Sequence, residues 1–200
     1  GTIIPIGFTT GNLVNPKASE IDEMVVFYDR LNFLSTDAPI SSNDLKNMTD
    51  ILMDHGIAPW ATFNGWKLAY QNPVTEKGIT NPLMYSGTKT HTSSLIWTTF
   101  VPPTNVDCRS AGRGGLYIKN LSNGVAPKIG EASELNDTFR ATTKWNPCTG
   151  NVTGYISAPF VAKTVKGDRL GVTVSAELYL TDPEVGEAKA TNIIKWYELY

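Results

Sequence analysis

The chain reads as mainly β, an antiparallel β-sandwich with one short helix near residues 42–55. The first observation is the run from Leu170, where Leu170, Val172, Val174, Ala176, Leu178 and Leu180 occupy every second position. Such alternation is the pattern of a strand with one buried and one wet face. The second is its neighbour, where Val152, Ile156, Ala158, Phe160 and Ala162 share another alternating phase. The third is composition. Charged residues make up only 18% of the 200-residue chain, and Gly (17) and Pro (12) recur between the apolar runs as turn formers.

Gly1 to Pro16 mixes apolar residues with Gly7, Gly11 and Asn15-Pro16, as an extended arm or short edge strand would. Ser19 to Leu34 is ambiguous. Ile21, Met24, Val25 and Tyr28 suit one helical face, but the β-branched and aromatic run Met24 to Tyr28 tips it to a strand. Ser41 to Gly56 has the marks of a helix. Ser41 or Ser42 stands at the N-cap, Asp44 in the first turn, Leu45, Met48, Ile51 and Leu52 on one face, and Gly56 just past the end. His55, near that end, then serves to offset the helix dipole.

Asn64-Gly65 lies between the aromatic flanks Trp60 to Phe63 and Trp66 to Tyr70, a strong hairpin signal because both residues tolerate positive φ. A loop with Asn72-Pro73 and Asn81-Pro82 follows. Ser94 to Val101 is a strand with Leu95, Trp97, Thr99 and Val101 in phase, stopped by Pro102-Pro103. Leu116 to Leu121 suits either state, and Thr138 to Trp145 alternates as a strand. Lys163 to Arg169 joins the two opening runs, with turn chemistry at Lys166-Gly167-Asp168. Pro159 puts the Ile156–Ala162 strand at a sheet edge and leaves Leu170–Leu180 for the interior. The aromatic octet Ile193 to Tyr200 suits a final strand or a packed extension. The whole is expected to form one domain over 1–200, with an extended segment at 1–16 and a C-terminal strand or tail at 190–200.

A formal charge of −2 leaves no nucleic-acid footprint on the globular part. The apolar runs are too short to cross a membrane as helices. Gly1 to Pro5 lacks the basic start and long apolar run of a secretory leader, and the chain opens without Met, as a processed or trimmed product would. Cys108 and Cys148 either close a loop of about 40 residues, adding roughly 3–4 kcal/mol, or stay as free thiols. With His55 and His91 they are not at ligand spacing, so neither a metal nor a cofactor is expected.

The motifs with catalytic overtones read more simply as structure. Ser110 to Gly115 lacks the Gly-Lys-Ser/Thr of a phosphate loop and reads as a surface loop. Carboxylates are scattered at Glu20, Asp22, Glu23, Glu131, Glu134, Asp137, Asp182, Glu184 and Glu187, and spacing alone does not set two across a cleft. Asp182 and Glu184 suit a solvated turn better than calcium. The tryptophans fall mostly on strands, where core packing is the ordinary use. The N-x-Ser/Thr sites at Asn47, Asn120, Asn136 and Asn151 suit an Asn- and Thr-rich chain and carry no secretory inference. No catalytic residue stands out.

Gly154-Tyr155-Ile156-Ser157, the Lys166-Gly167-Asp168 loop, Leu170 to Leu180 and Thr181-Asp182-Pro183 together resemble the last two strands of jelly-roll coat proteins of small icosahedral positive-strand RNA viruses. Leu95 to Pro103 resembles the apolar strand and Pro-rich turn near the middle of such a coat. The resemblance covers some thirty residues well, lacks the basic RNA-packaging arm, and has no counterpart for a helix at Ser41 to Gly56. It implies a jelly-roll-like subunit of an icosahedral capsid, not an enzyme, located in a virion and partnered by copies of itself or sister subunits. The alternative is a bacterial surface or fimbrial adhesin, extracellular or on the cell surface, binding a host receptor or glycan. The third reading is a secreted β-sandwich glycoside hydrolase.

Overall fold

A computed structural model describes residues 3–11, 20–31, 40–49, 63–70, 76–86, 93–102, 113–125, 156–165, 167–174, 177–181 and 194–195. The expected strand at Thr138–Trp145, both cysteines, both histidines and the Ile193–Tyr200 octet, apart from residues 194 and 195, lie outside them.

The described residues form sheets that are antiparallel throughout except at the short β3–β4 pair, in keeping with the β-sandwich class. Strands β1 (Ile4–Thr9), β2 (Glu23–Asp29), β3 (Lys46–Asn47) and β4 (Gly65–Ala69) make one sheet in the order β1-β2-β4-β3. In the second, β7 (Ser93–Val101) pairs with β8 (Arg113–Asn120) along one edge, and with β5 (Lys77–Gly78) and β6 (Leu83–Ser86) on the other. In the third, β9 (Phe160–Thr164), β10 (Gly167–Val174), β11 (Glu177–Thr181) and β12 (Ile194–Lys195) run in chain order.

The β7–β8 sheet is apolar on both faces, and two cores use it. Leu95, Trp97 and Tyr117 face Met24, Val26 and Trp66 of the first sheet. Ile96, Leu116 and Ile118 face Ile156, Leu170 and Val172 on the other side. A strand buried on both faces reads as a continuous apolar run, which is why Leu95-Ile96-Trp97 breaks alternation.

The β1 edge is blunted by its own sequence. Tyr28 N donates to Asn64 O across the β2–β4 seam, so Pro5, opposite Tyr28, turns its nitrogen away from β2. A proline there removes a donor from the open edge. The outward residues Ile4, Ile6 and Phe8 stay exposed, with Phe8 against the Phe27 ring at 5.8 Å.

Three expectations need correction. The helix expected over 42–55 is, in its described part, one 3-10 turn at Ser42–Asp44. The cap was read correctly: Ser41 and Asp44 form a reciprocal capping box. Leu45 is already extended, however, and Lys46–Asn47 pairs in parallel with Trp66 and Lys67. Leu45 and Met48 still reach the core, but from the two ends of the short strand β3. Asn47 Oδ1 accepts from Thr49 N and Oγ1, a local bond that competes with helix. Residues 50–55 lie outside the described set.

Asn64-Gly65 is not a two-residue hairpin turn. Only Gly65 has positive φ (150°), whereas a type I′ turn needs both. The edges of β4 are already taken by β2 and β3 at Trp66 and Lys67. Gly65 is required by contact instead, since a Cβ there would sit 2.0 Å from Val26 O.

The Leu170–Leu180 run is two strands, not one. β10 and β11 pair with Val174 opposite Glu177 and Leu170 opposite Thr181. Two residues separate the strands, so the reversal flips the phase: Leu178 lies opposite Thr173, on the face away from Leu170 and Val172. Alternation continues across a two-residue connection without announcing it. β10 is interior and β9 an edge beginning just after Pro159, as Pro159 suggested. Gly167, at φ 103°, turns the β9–β10 hairpin.

Candidate functional site

Where β1, β2 and the end of β4 approach β5 and β7 of the middle sheet, a group of polar side chains is sealed in the interior. Lys77 is 0% exposed, and its Nζ lies 2.7 Å from Asp22 Oδ2 and donates to Glu20 O at 2.8 Å. Asp22 is itself buried. The next residue back, Glu76, is also fully buried, and its Oε1 accepts from Thr99 Oγ1 and from the Tyr117 hydroxyl (2.9 Å).

Two aromatic residues wall the group. Tyr117 stacks on Trp97, and Tyr70 tilts against Tyr117 at 5.7 Å. The Tyr70 hydroxyl lies against Gly78, where a Cβ would come within 2.3 Å of it. That hydroxyl is buried and, among the described residues, has no hydrogen-bond partner. Burial, then the charges of Glu76, Asp22 and Glu23, pushes it well above the usual phenol range, so it stays an O–H donor.

The Asp22–Lys77 contact has an unusual geometry. The atoms are within ion-pair distance, yet among the described residues Asp22 Oδ2 makes no aligned hydrogen bond. Buried ion pairs repay their desolvation only with good geometry and further bonds. Here the Glu20 carbonyl takes one Lys77 proton.

The strand geometry explains the convergence. Lys77 lies opposite Phe100 and Gly78 opposite Thr99, at the far end of β7 from β6. β1 runs into the same corner: Thr9 Oγ1 donates to Gly78 O, and Gly78 N to Thr10 O.

Of the residues singled out from sequence, Asp22 belongs to this group, Glu20 contributes its carbonyl, and Glu23 stands nearby. Arg113–Gly115 of the Ser110–Gly115 stretch is strand β8, not surface loop, and Gly114 admits Ile156, which a Cβ would meet at 2.8 Å. Asn47 is exposed and Asn120 buried. The other N-x-Ser/Thr sites and the carboxylates of Glu131, Glu134, Asp137, Asp182, Glu184 and Glu187 lie outside the described residues. Trp66 and Trp97 are core.

Glu76 and Lys77 carry no signal in the sequence because a Glu-Lys-Gly step between two Asn-Pro pairs looks like a solvated turn, and Tyr70 shows there only as part of the aromatic Trp66 to Tyr70 strand flank. Among the described residues no three His, Cys, Asp or Glu side chains gather as a metal site, and no helix is long and apolar enough to cross a membrane.

The architecture is that of a multi-sheet antiparallel β protein. No family model matches the chain, and no curated protein matches it. Among solved structures it is similar to the C-terminal domain of PilY1 from Pseudomonas aeruginosa, with TM-score 0.50 and 10% identity. The match covers 91% of this chain and 44% of that one, so this chain spans less than half the length of its neighbour. At that identity the likeness concerns the fold.

Proposed function

We propose that this chain is a binding and assembly module of a bacterial cell-surface, pilus-associated protein, acting through its surfaces without catalysing a reaction. The observation that carries the reading is the fold likeness to PilY1, a pilus-associated protein, over 91% of the chain. The buried polar group is in keeping with it. Lys77 and Glu76 are fully enclosed and occupied by Asp22, Thr99 and Tyr117, which suits tying sheets together. The exposed Ile4, Ile6 and Phe8 offer an apolar contact surface beside an edge that Pro5 makes unfit for strand addition.

The test is immunogold labelling of the native source with antibody raised against the purified chain. Decoration of the cell surface or its pili is expected. Gold confined to the cell interior would overturn the proposal. Gold on closed icosahedral particles would overturn it in favour of the coat-subunit reading, whose long Leu170–Leu180 strand divides here into β10 and β11.

A further inference from the structure

We propose that Asp22 and Lys77 become joined by a side-chain amide, a covalent cross-link between the approach to β2 and strand β5. Three features of the site point to it. The amine and carboxyl are held 2.7 Å apart, off the line of a hydrogen bond, by backbone that is itself tied at this corner. Both groups are buried, so little water competes with the amine. A third polar group, the Tyr70 hydroxyl, is buried within reach of the Asp22 charge and, among the described residues, has no hydrogen-bond partner.

The chemistry balances with the residues present. The step begins with a proton passing from Lys77 Nζ to the Asp22 carboxylate, giving a neutral amine and a neutral acid. The nitrogen lone pair attacks Cγ and forms the C–N bond. The tetrahedral intermediate moves a nitrogen proton to one carboxyl-derived hydroxyl, the C–O bond breaks, and one water leaves. Neither oxidation nor an activating nucleotide is involved. Fixed proximity replaces activation, since well-oriented intramolecular partners reach effective concentrations far above any in solution. Tyr70 supplies an O–H donor for the oxyanion that develops on Asp22. Because burial and the neighbouring Glu76 charge keep its proton on, that donor persists at neutral pH.

Such a bond closes a ring between residues 55 positions apart in the chain, from Asp22 to Lys77. It removes unfolded-state freedom in the way a disulfide does, but no reductant can open it.

The experiment is intact mass spectrometry of the full chain, denatured and reduced, followed by a peptide map. The expected mass is lower than the sequence mass by one water, and the map contains a branched peptide carrying both Asp22 and Lys77. Asp22→Asn is expected to lose ammonia in place of water, because the amide nitrogen becomes the leaving group. Full sequence mass in folded wild-type protein after prolonged incubation, with Asp22 and Lys77 in separate linear peptides, would overturn the proposal. A mass deficit that survives Lys77→Met would overturn it equally. An unchanged linked fraction in Tyr70→Phe would remove Tyr70 from the reaction.

Discussion

Trp97 and Tyr117 face each other across β7 and β8, their rings stacked at 4.9 Å with planes 10° apart. The stack does more than fill the core. It fixes the Tyr117 ring so that its hydroxyl reaches Glu76, linking aromatic packing to the placement of a buried carboxylate.

Tyr117→Phe keeps the ring and deletes one donor to that carboxylate. It should cost about 1–3 kcal/mol, the range for leaving a buried acceptor short of a partner. Urea denaturation checks this, with the m-value expected to hold and the midpoint to fall.

Gly65→Ala places a Cβ where Val26 O sits, at a backbone angle few side chains adopt. A loss of at least about 1–3 kcal/mol is expected from strain alone. Hydrogen exchange should locate the damage on the β2–β4 seam, leaving the β10–β11 pairing protected.

Ile96→Ala should cost about 2–5 kcal/mol, because Ile96 is fully buried between Ile118 and the third sheet. Ile4→Thr, on the exposed face of β1, should stay within about 0.5 kcal/mol. Thermal melts of the two variants make the contrast direct.

Alkaline titration addresses the buried phenols. Burial raises Tyr28, partly offset by its bond with Trp66, and burial also raises Tyr70. A phenol raised in the folded state contributes stability that is complete below its unfolded value of 10.0 and is lost as pH climbs toward the folded value. Tyrosinate absorbance should therefore lag through the ordinary phenol range, then rise together with unfolding. Asp44 shows the opposite sign. Bonds from Ser41 backbone and side chain lower its carboxyl below 3.8, so the turn is secured above that value and loosens as pH falls through the folded one. In an NMR titration, Ser41→Ala should move the Asp44 midpoint upward.

Sheet class was legible because it rests on local alternation and turn chemistry. The Ser94–Val101 and Met24–Tyr28 strands, the Gly167 turn and the edge position signalled by Pro159 all follow from residues close together in sequence. What was hidden depends on distant partners. Leu45 and Met48 have helical spacing, but parallel pairing with β4 draws their segment into a strand, a tertiary choice that propensity does not encode. The β10–β11 reversal is silent because a two-residue connection preserves period two. The polar group needed three sheet segments to converge, so Glu76 and Lys77 carried no mark of burial. Asp22 was visible as an acid, but not as a partner for an amine 55 residues later.

The sealed polar corner holds together only if Asp22 and Lys77 act as one unit. A double-mutant cycle with Asp22→Leu, Lys77→Met and the pair, followed by denaturant unfolding, measures this directly. Each single change should cost about 3–5 kcal/mol, since it strands the remaining group in the interior. The double change should cost no more than either single one. Losses that simply add would contradict the account, showing that the two residues stabilise the protein independently.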